Sequence, residues 1–221
     1  MTADPHSLQT AYDARAALDY LASLQPPPAA LAFSAEELTG ERVQPTVGPH
    51  AAALLDVLVR ALRPRRILEI GTSFGYSACV MGRAAVTYGG QVWTIERSER
   101  LAQAARDNLA AAGLAQTAKV ITGDARRILA GLDDSFEMIL QDGGKEDYLP
   151  LLDVLVDRLE PGGLLVSDDV LFPVMTLPAS VAHWAQAMAD YNRALTVHPR
   201  LRSVWLPIGD GIAISVRLDP K

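Results

Sequence analysis

Residues 67–77 read Ile-Leu-Glu-Ile-Gly-Thr-Ser-Phe-Gly-Tyr-Ser. Ile67, Leu68 and Ile70, preceded by basic residues and followed by glycines, predict a short buried strand that runs into a tight turn. Gly71 and Gly75 stand where a Cβ would block a ligand's approach to the backbone, and the next helix is expected to begin near Tyr76–Ser77. A dinucleotide fingerprint has three glycines in such a turn, spaced G-x-G-x-x-G. Here there are two, spaced G-x-x-x-G, and no Lys-Ser/Thr pair that would hold a triphosphate. A carboxylate, Glu69, lies inside the strand end. That position suits a ligand carrying positive charge, a sulfonium or an ammonium, and points to S-adenosylmethionine (SAM).

Outward from this turn the chain alternates strand and helix, the pattern of a mostly parallel sheet with helices on both faces. Strands are predicted at 66–70, 91–96, 118–122, 136–141 and 163–167, with helices at 76–87, 98–112, 125–131 and 147–159. Ser98 can cap its helix, Gly113 can end it in a left-handed conformation, and Pro161-Gly162 terminates the fourth. A helix near 179–195 carries Val181, Trp184, Ala185 and Met188 on one face. Two extended runs, 202–207 and 212–218, are joined closely at Gly209-Asp210-Gly211, so they pair antiparallel and the last strand enters the sheet reversed. Residues 1–62 read as a helical cap. Ala14, Ala17, Leu18 and Leu21 share a face before Pro26-Pro27-Pro28, Ser34 with Glu37 forms a capping box, and Ala52, Leu55, Val59 and Leu62 share a later face closed by Pro64. The expectation is one domain over 1–221, with the α/β core at 63–221.

The net charge of −6, from 20 basic and 26 acidic residues, and the lack of a basic run argue against a nucleic-acid partner. Arg60, Arg63, Arg65 and Arg66 cluster at a helix end, where they complement its dipole. The lone Cys79 excludes an intramolecular disulfide and fits a reducing compartment. The first residues, Met-Thr-Ala-Asp-Pro-His, lack the basic-then-apolar pattern of a signal peptide, and no apolar run reaches spanning length. The expectation is a cytoplasmic protein without a membrane partner.

In open α/β sheets ligands bind outside the carboxyl ends of the strands. Those ends carry Glu69 with Gly71, Glu96, Asp124, Asp142, and Asp168 with Asp169. Each acid alone could cap the next helix; all five ends together point to a site. Glu96 stands where an acid bonds ribose hydroxyls, and Asp124 within reach of an adenine amino group. If the fourth and fifth strands are neighbours, Asp142, Asp168 and Asp169 converge, and an all-oxygen set without histidine favours Mg²⁺, with Ca²⁺ or Mn²⁺ as alternatives. Lys145, three residues after Asp142, can reach the same pocket, unless it pairs with Glu146 or Asp147 instead. Burial and a nearby cation would lower its pKa from the ordinary value of about 10.4. No Gly-x-Ser-x-Gly elbow appears, and no histidine stands beside a nucleophile.

Ile67-Leu68-Glu69-Ile70-Gly71-Thr72 with Gly75-Tyr76-Ser77, then Trp93-Thr94-Ile95-Glu96, Gly123-Asp124-Ala125, Asp142-Gly143-Gly144-Lys145, Pro161-Gly162-Gly163-Leu164 and Gly209-Asp210-Gly211, resemble the cation-dependent O-methyltransferases. These include catechol O-methyltransferase, the plant caffeoyl-CoA enzymes and bacterial relatives. The likeness covers about residues 42–217. It implies a class I SAM-methyltransferase, Rossmann-like fold with a seven-stranded, mostly parallel sheet whose last strand is antiparallel, and a homodimer. It implies Val43, Glu69, Gly71, Ser73, Gly75 and Ser77 around the methionine part of SAM, Glu96 on the ribose, and Asp124 with Ala125 on the adenine. Asp142, Asp168 and Asp169 would hold a divalent metal, and Lys145 would deprotonate a phenolic, catechol-like acceptor, leaving S-adenosylhomocysteine (SAH). Two positions depart from the family pattern: Gly144, often Asp, and Asp169, commonly Asn. The stretch 171–178, with Phe172 and Met175, and the turn at 44–49 are expected to wall the acceptor. The alternatives are a metal-independent methyltransferase, a SAM-binding module without catalysis, and a nicotinamide-dependent dehydrogenase, which the missing third glycine and the reversed strand disfavour.

Overall fold

The computed structural model describes residues 47–219, with Ala16, Tyr20, Leu21, Ser23 and Leu24. Val43, the Ser34–Glu37 capping box, the proline run and the turn at 44–46 lie outside the described residues. Two compact units divide the chain, Met1–Ala30 and Leu31–Lys221. In the first, the described residues are helical and exposed, and the Ser23 hydroxyl donates to the Tyr20 carbonyl at 2.7 Å.

The larger unit begins its described part with α1 (Pro49–Leu62), which has proline in its first turn, where the missing N–H costs nothing. Ala51, Ala52, Leu55 and Val59 are its buried face. Leu62, expected on that face, is exposed, because it is the last helical residue before Arg63 turns left-handed (φ 50°). The chain continues β1 (Arg66–Ile70), α2 (Tyr76–Ala85), β2 (Gln91–Glu96), α3 (Glu99–Ala111), β3 (Ala118–Thr122), α4 (Ala125–Ala130), β4 (Phe136–Gln141), α5 (Tyr148–Arg158), β5 (Leu159–Ser167), α6 (His183–Val197), β6 (Leu201–Leu206) and β7 (Ile212–Arg217). The Ser98 hydroxyl accepts the Leu101 N–H at the start of α3. Gly113, at φ 73°, closes the end of that helix, with the Leu114 N–H on the Leu109 carbonyl at 2.8 Å.

The seven strands form one sheet in the order β3-β2-β1-β4-β5-β7-β6. β1 to β5 pair parallel, and β7 runs antiparallel to both β5 and β6, as the short Gly-Asp-Gly connection required. Pairing of β5 begins earlier than expected, at Leu159 opposite Phe136. Pro161 and Gly162 stay exposed in a bulge where the register shifts between Phe136 and Met138. Leu68, Ile70, Ile95 and Ile139 pack with α5 and α6 residues on one face. Ile67, Val92, Met138 and Leu140 pack with α1 and α2 residues on the other. The strand order reverses between β1 and β4, so the turns after these strands lie side by side at the sheet's carboxyl edge, the crevice where such folds bind ligands.

Candidate active site

A cavity of about 550 Å³ opens at that edge. The close approach of the two turns fixes its floor. Gly71 is at φ 93°, and its N–H donates to the Ile95 carbonyl at 2.9 Å. Beside it, Ser73 also takes a left-handed conformation (φ 48°), and its N–H donates to Glu96 Oε2 at 2.9 Å. Glu96 Oε1 accepts the Ser98 N–H at 2.9 Å, so this carboxylate ties the β1 turn to the start of α3. The buried Ser73 hydroxyl has no hydrogen-bond partner among the described residues and lines the cavity. An orphaned polar atom of this kind fits the polar methionine end of SAM.

The cavity brings together Gly71, Ser73, Ser77, Glu96, Asp124, Ala125, Asp142, Asp168, Asp169 and Lys145, and leaves out Glu69 and Gly75. Glu69 alternates with Ile67 on the face that packs against α1 and α2, so it points beneath the start of α2 rather than out of the strand end. It is completely buried, and the hydroxyls of Ser77 and Thr94 both donate to it. Thr94 in turn shares a hydrogen bond with Thr72 at 2.5 Å. Asp124 also caps α4, accepting the Arg127 N–H at 3.1 Å, which leaves its other oxygen for the cavity.

Burial pushes the Glu69 carboxyl up to about 8, against the two hydroxyl hydrogen bonds that oppose the shift. The same group in the unfolded chain ionises near 4.5. Between these values the folded protein holds the extra proton, so stability falls as pH rises from about 4.5 to 8. Glu69→Gln is expected to flatten this slope by a few kcal/mol over that range, read from unfolding midpoints at pH 5 and 8. An unchanged slope would count against a protonated Glu69.

At the other end of the cavity Lys145 sits in a single 3₁₀ turn, Lys145–Asp147, at the head of α5. Its nitrogen donates to Asp142 Oδ1 at 3.2 Å, to the Gly143 carbonyl at 3.1 Å and to the Tyr148 hydroxyl at 3.2 Å, and it pairs with Asp169. The alternative partners are otherwise engaged: Asp147 with Arg126 at 2.5 Å, Glu146 with His183 and Trp184 at 2.9 and 2.8 Å. Burial alone would lower the Lys145 ammonium, but Asp142 and Asp169 outweigh it and hold the group above its ordinary value. The lowered pKa expected from the sequence is therefore reversed in this arrangement. Burial raises Asp142 to about 6, with the Asp169 and Asp210 charges adding to it. Burial and the Asp142 and Asp169 charges raise Asp168 to about 8.

Of the three aspartates expected to converge, Asp142 and Asp169 meet at an ammonium, and Asp168 is close enough to feel both their charges. Among the described residues no three Asp, Glu, His or Cys side chains stand as a ready metal cage. Lys145 bridges Asp142 and Asp169, and Asp168 Oδ1 accepts the Asp169 N–H at 2.8 Å. The donor chemistry nonetheless fits a hard dication: Asp142 and Asp169 share one ammonium, with the carboxylates of Asp168 and Asp210 nearby. Asp169 holds its place in a left-handed conformation (φ 63°), one that Asn and Asp tolerate better than other side chains.

Three wall residues, and one buried behind the wall, were given no site role by the sequence reading. Trp184 stacks on Phe172, with centroids 6.2 Å apart and planes 8° from parallel, and both line the cavity. Its place on a helix face suggested core packing, and the paired Glu146 is not visible from spacing. Asp210 lies in the Gly-Asp-Gly turn, which read as a hairpin joint and a family motif but not as a wall; Arg97 lines the cavity beside Glu96; Tyr148, buried, holds Lys145. Val47 and Gly48 of the expected N-terminal wall are present, whereas Val174 and Met175 face outward.

The chain matches known proteins along most of its length. The profile of a family described as O-methyltransferase covers residues 33–218. Caffeoyl-CoA O-methyltransferase 2 of Petunia hybrida is 25% identical over 186 residues, 78% of this chain and 76% of that one. Catechol O-methyltransferase of Niastella koreensis is 32% identical over 130 residues, 57% of this chain and 58% of its own. The solved O-methyltransferase of Bacillus cereus in complex with SAH superposes with a TM-score of 0.76 at 25% identity, covering 91% of this chain and 97% of that one. With the sheet order, the strand-end cavity and the profile match in agreement, the chain belongs to the O-methyltransferase family and is a SAM-dependent O-methyltransferase.

Proposed function

We propose that this enzyme moves the SAM methyl group to a hydroxyl of a catechol-like or other phenolic small molecule, with a divalent cation assisting. The observation that carries the reading is the acceptor end of the cavity, where the Lys145 nitrogen stands among Asp142, Asp169 and the face of Phe172 (5.9 Å to the ring centroid). The parallel Phe172 and Trp184 rings form a flat apolar wall suited to an aromatic acceptor. The similarity to caffeoyl-CoA and catechol O-methyltransferases supports the same class of substrate.

SAM lies with its methionine part at Gly71, Ser73 and Ser77, its ribose on Glu96 and its adenine by Asp124 and Ala125. A divalent cation, Mg²⁺ with Ca²⁺ or Mn²⁺ as alternatives, held by Asp142, Asp168 and Asp169 would supply Lewis acidity to vicinal acceptor oxygens and balance the charge that keeps Lys145 protonated. Lys145, as the free amine, takes the acceptor proton. The phenolate oxygen then bonds the methyl carbon as the C–S bond breaks, and the sulfonium charge is lost as SAH forms. The metal-free alternative has one observation in its favour, the bridge Lys145 already makes between Asp142 and Asp169. The enzyme is proposed to work as a cytoplasmic homodimer; light scattering at micromolar concentration checks the dimer.

The test is transfer from labelled SAM to a panel of catechols, with Mg²⁺ and with EDTA, by wild type and Asp142→Ala. The expected result is activity with Mg²⁺ that disappears in both controls. Transfer that survives EDTA would remove the cation from the mechanism. Absence of transfer to any phenol, with SAM still bound in calorimetry, would remove the phenolic acceptor.

A further inference from the structure

We propose that Tyr148 is the positioning residue for Lys145, its phenolic oxygen fixing where the lysine nitrogen stands at the acceptor hydroxyl. The inference rests on Lys145 as the base. Tyr148 opens α5 three residues after Lys145, across the single turn that carries the lysine. It is fully buried, and its ring meets Tyr191 edge-on, with centroids 5.1 Å apart and planes at 88°, so the ring has no room to swing. Tyr191 is itself anchored, its hydroxyl 2.6 Å from that of Ser167 on β5.

The Tyr148 proton has a fixed destination. The hydroxyl donates to the Gln141 carbonyl at 2.9 Å, with the Asp168 carbonyl at 3.3 Å. Gln141 ends β4 and Asp168 directly follows β5, so one hydroxyl references the lysine to the ends of both strands that lead into the aspartates. With its proton committed there, the oxygen faces Lys145 only as an acceptor, at 3.2 Å. It therefore holds an N–H of the lysine and cannot donate to the nitrogen lone pair, which stays available for the acceptor's proton. The lysine stem is flexible and would otherwise sample many rotamers, and a nitrogen displaced by about 1 Å loses on the order of 100-fold in rate.

Tyr148→Phe keeps the ring and its packing and removes only the hydroxyl. With catechol and Mg²⁺, kcat is expected to fall about 10- to 100-fold, while KM for catechol and the calorimetric Kd for SAM stay within about twofold. A kcat within about twofold of wild type overturns the proposal, as does a fall matched by an equal loss of SAM affinity, which would mean a packing role. Lys145→Met, assayed alongside, isolates the premise: a wild-type rate in that variant defeats the base and this inference with it. Should catechol not turn over, ¹⁵N-lysine labelling decides on structure alone. The Lys145 Nζ signal, assigned by its loss in Lys145→Met, is expected to exchange with water about tenfold faster in Tyr148→Phe, and an unchanged signal overturns the proposal.

Discussion

Gly71→Ala is expected to lower the unfolding midpoint by about 5–15 °C and to weaken SAM binding by at least about 100-fold. Two penalties act at one atom. A Cβ at this position would lie 2.3 Å from the Asp142 carbonyl oxygen and 2.7 Å from its carbon, neither of which belongs to a movable side chain. The backbone there is also at φ 93°, where any L side chain is strained. Strain of about 1–2 kcal/mol and overpacking of about 1–3 kcal/mol give about 2–5 kcal/mol together. For a chain of this size, at roughly 2–4 °C per kcal/mol, the stated shift is the middle of the resulting span of about 4–20 °C. The only relief is to part the turns after β1 and β4, and those turns carry Ser73 on one side and Asp142 with Lys145 on the other. Thermal unfolding and calorimetry with SAM read both effects. A variant within a degree and within twofold of wild type would show that the turns can separate at no cost.

Much of this architecture was legible because buried parallel strands read as apolar runs between turn residues. Each of the five parallel strands was anticipated at its carboxyl end, where the site residues sit. Leu159 was missed because Pro161 and Gly162 look like terminators, yet a bulge accommodates both in the ladder. The strand-end rule also collected Asp142, Lys145, Asp168 and Asp169. It misplaced Glu69, and for a reason the sequence holds: alternation from Ile67 turns residue 69 towards α2, one position short of the open end. What no pattern could supply is the partner of a side chain. Lys145 was expected to have a lowered pKa on account of burial and a nearby cation, but its two neighbouring carboxylates hold it above the ordinary value. Tyr148 contributes through backbone carbonyls, which carry no residue type.

Lys145→Met is expected to lower kcat by about 100- to 10,000-fold, the range of a lost general base, with SAM still bound. Its second effect is on stability and depends on pH. Without the ammonium, nothing offsets burial and the mutual repulsion at Asp142, Asp168 and the nearby Asp210, so these three carboxyls move up beyond where they stand in wild type. The folded variant then keeps protons at pH values where the unfolded chain, ionising near 4, has lost them. Its stability therefore falls as pH rises above about 4. Near pH 5 the variant should stand close to wild type; at pH 8 it should have lost about 3–5 kcal/mol, the cost of removing one partner of a buried pair. A cation at these carboxylates would be detectable without any assay of turnover. Mg²⁺ should raise the unfolding midpoint of Lys145→Met more than that of wild type, because in the variant no lysine competes for Asp142 and Asp169. A deficit equal at both pH values would mean that the ammonium does not balance these carboxylates, and an identical response to Mg²⁺ in both proteins would mean that the cation does not share them.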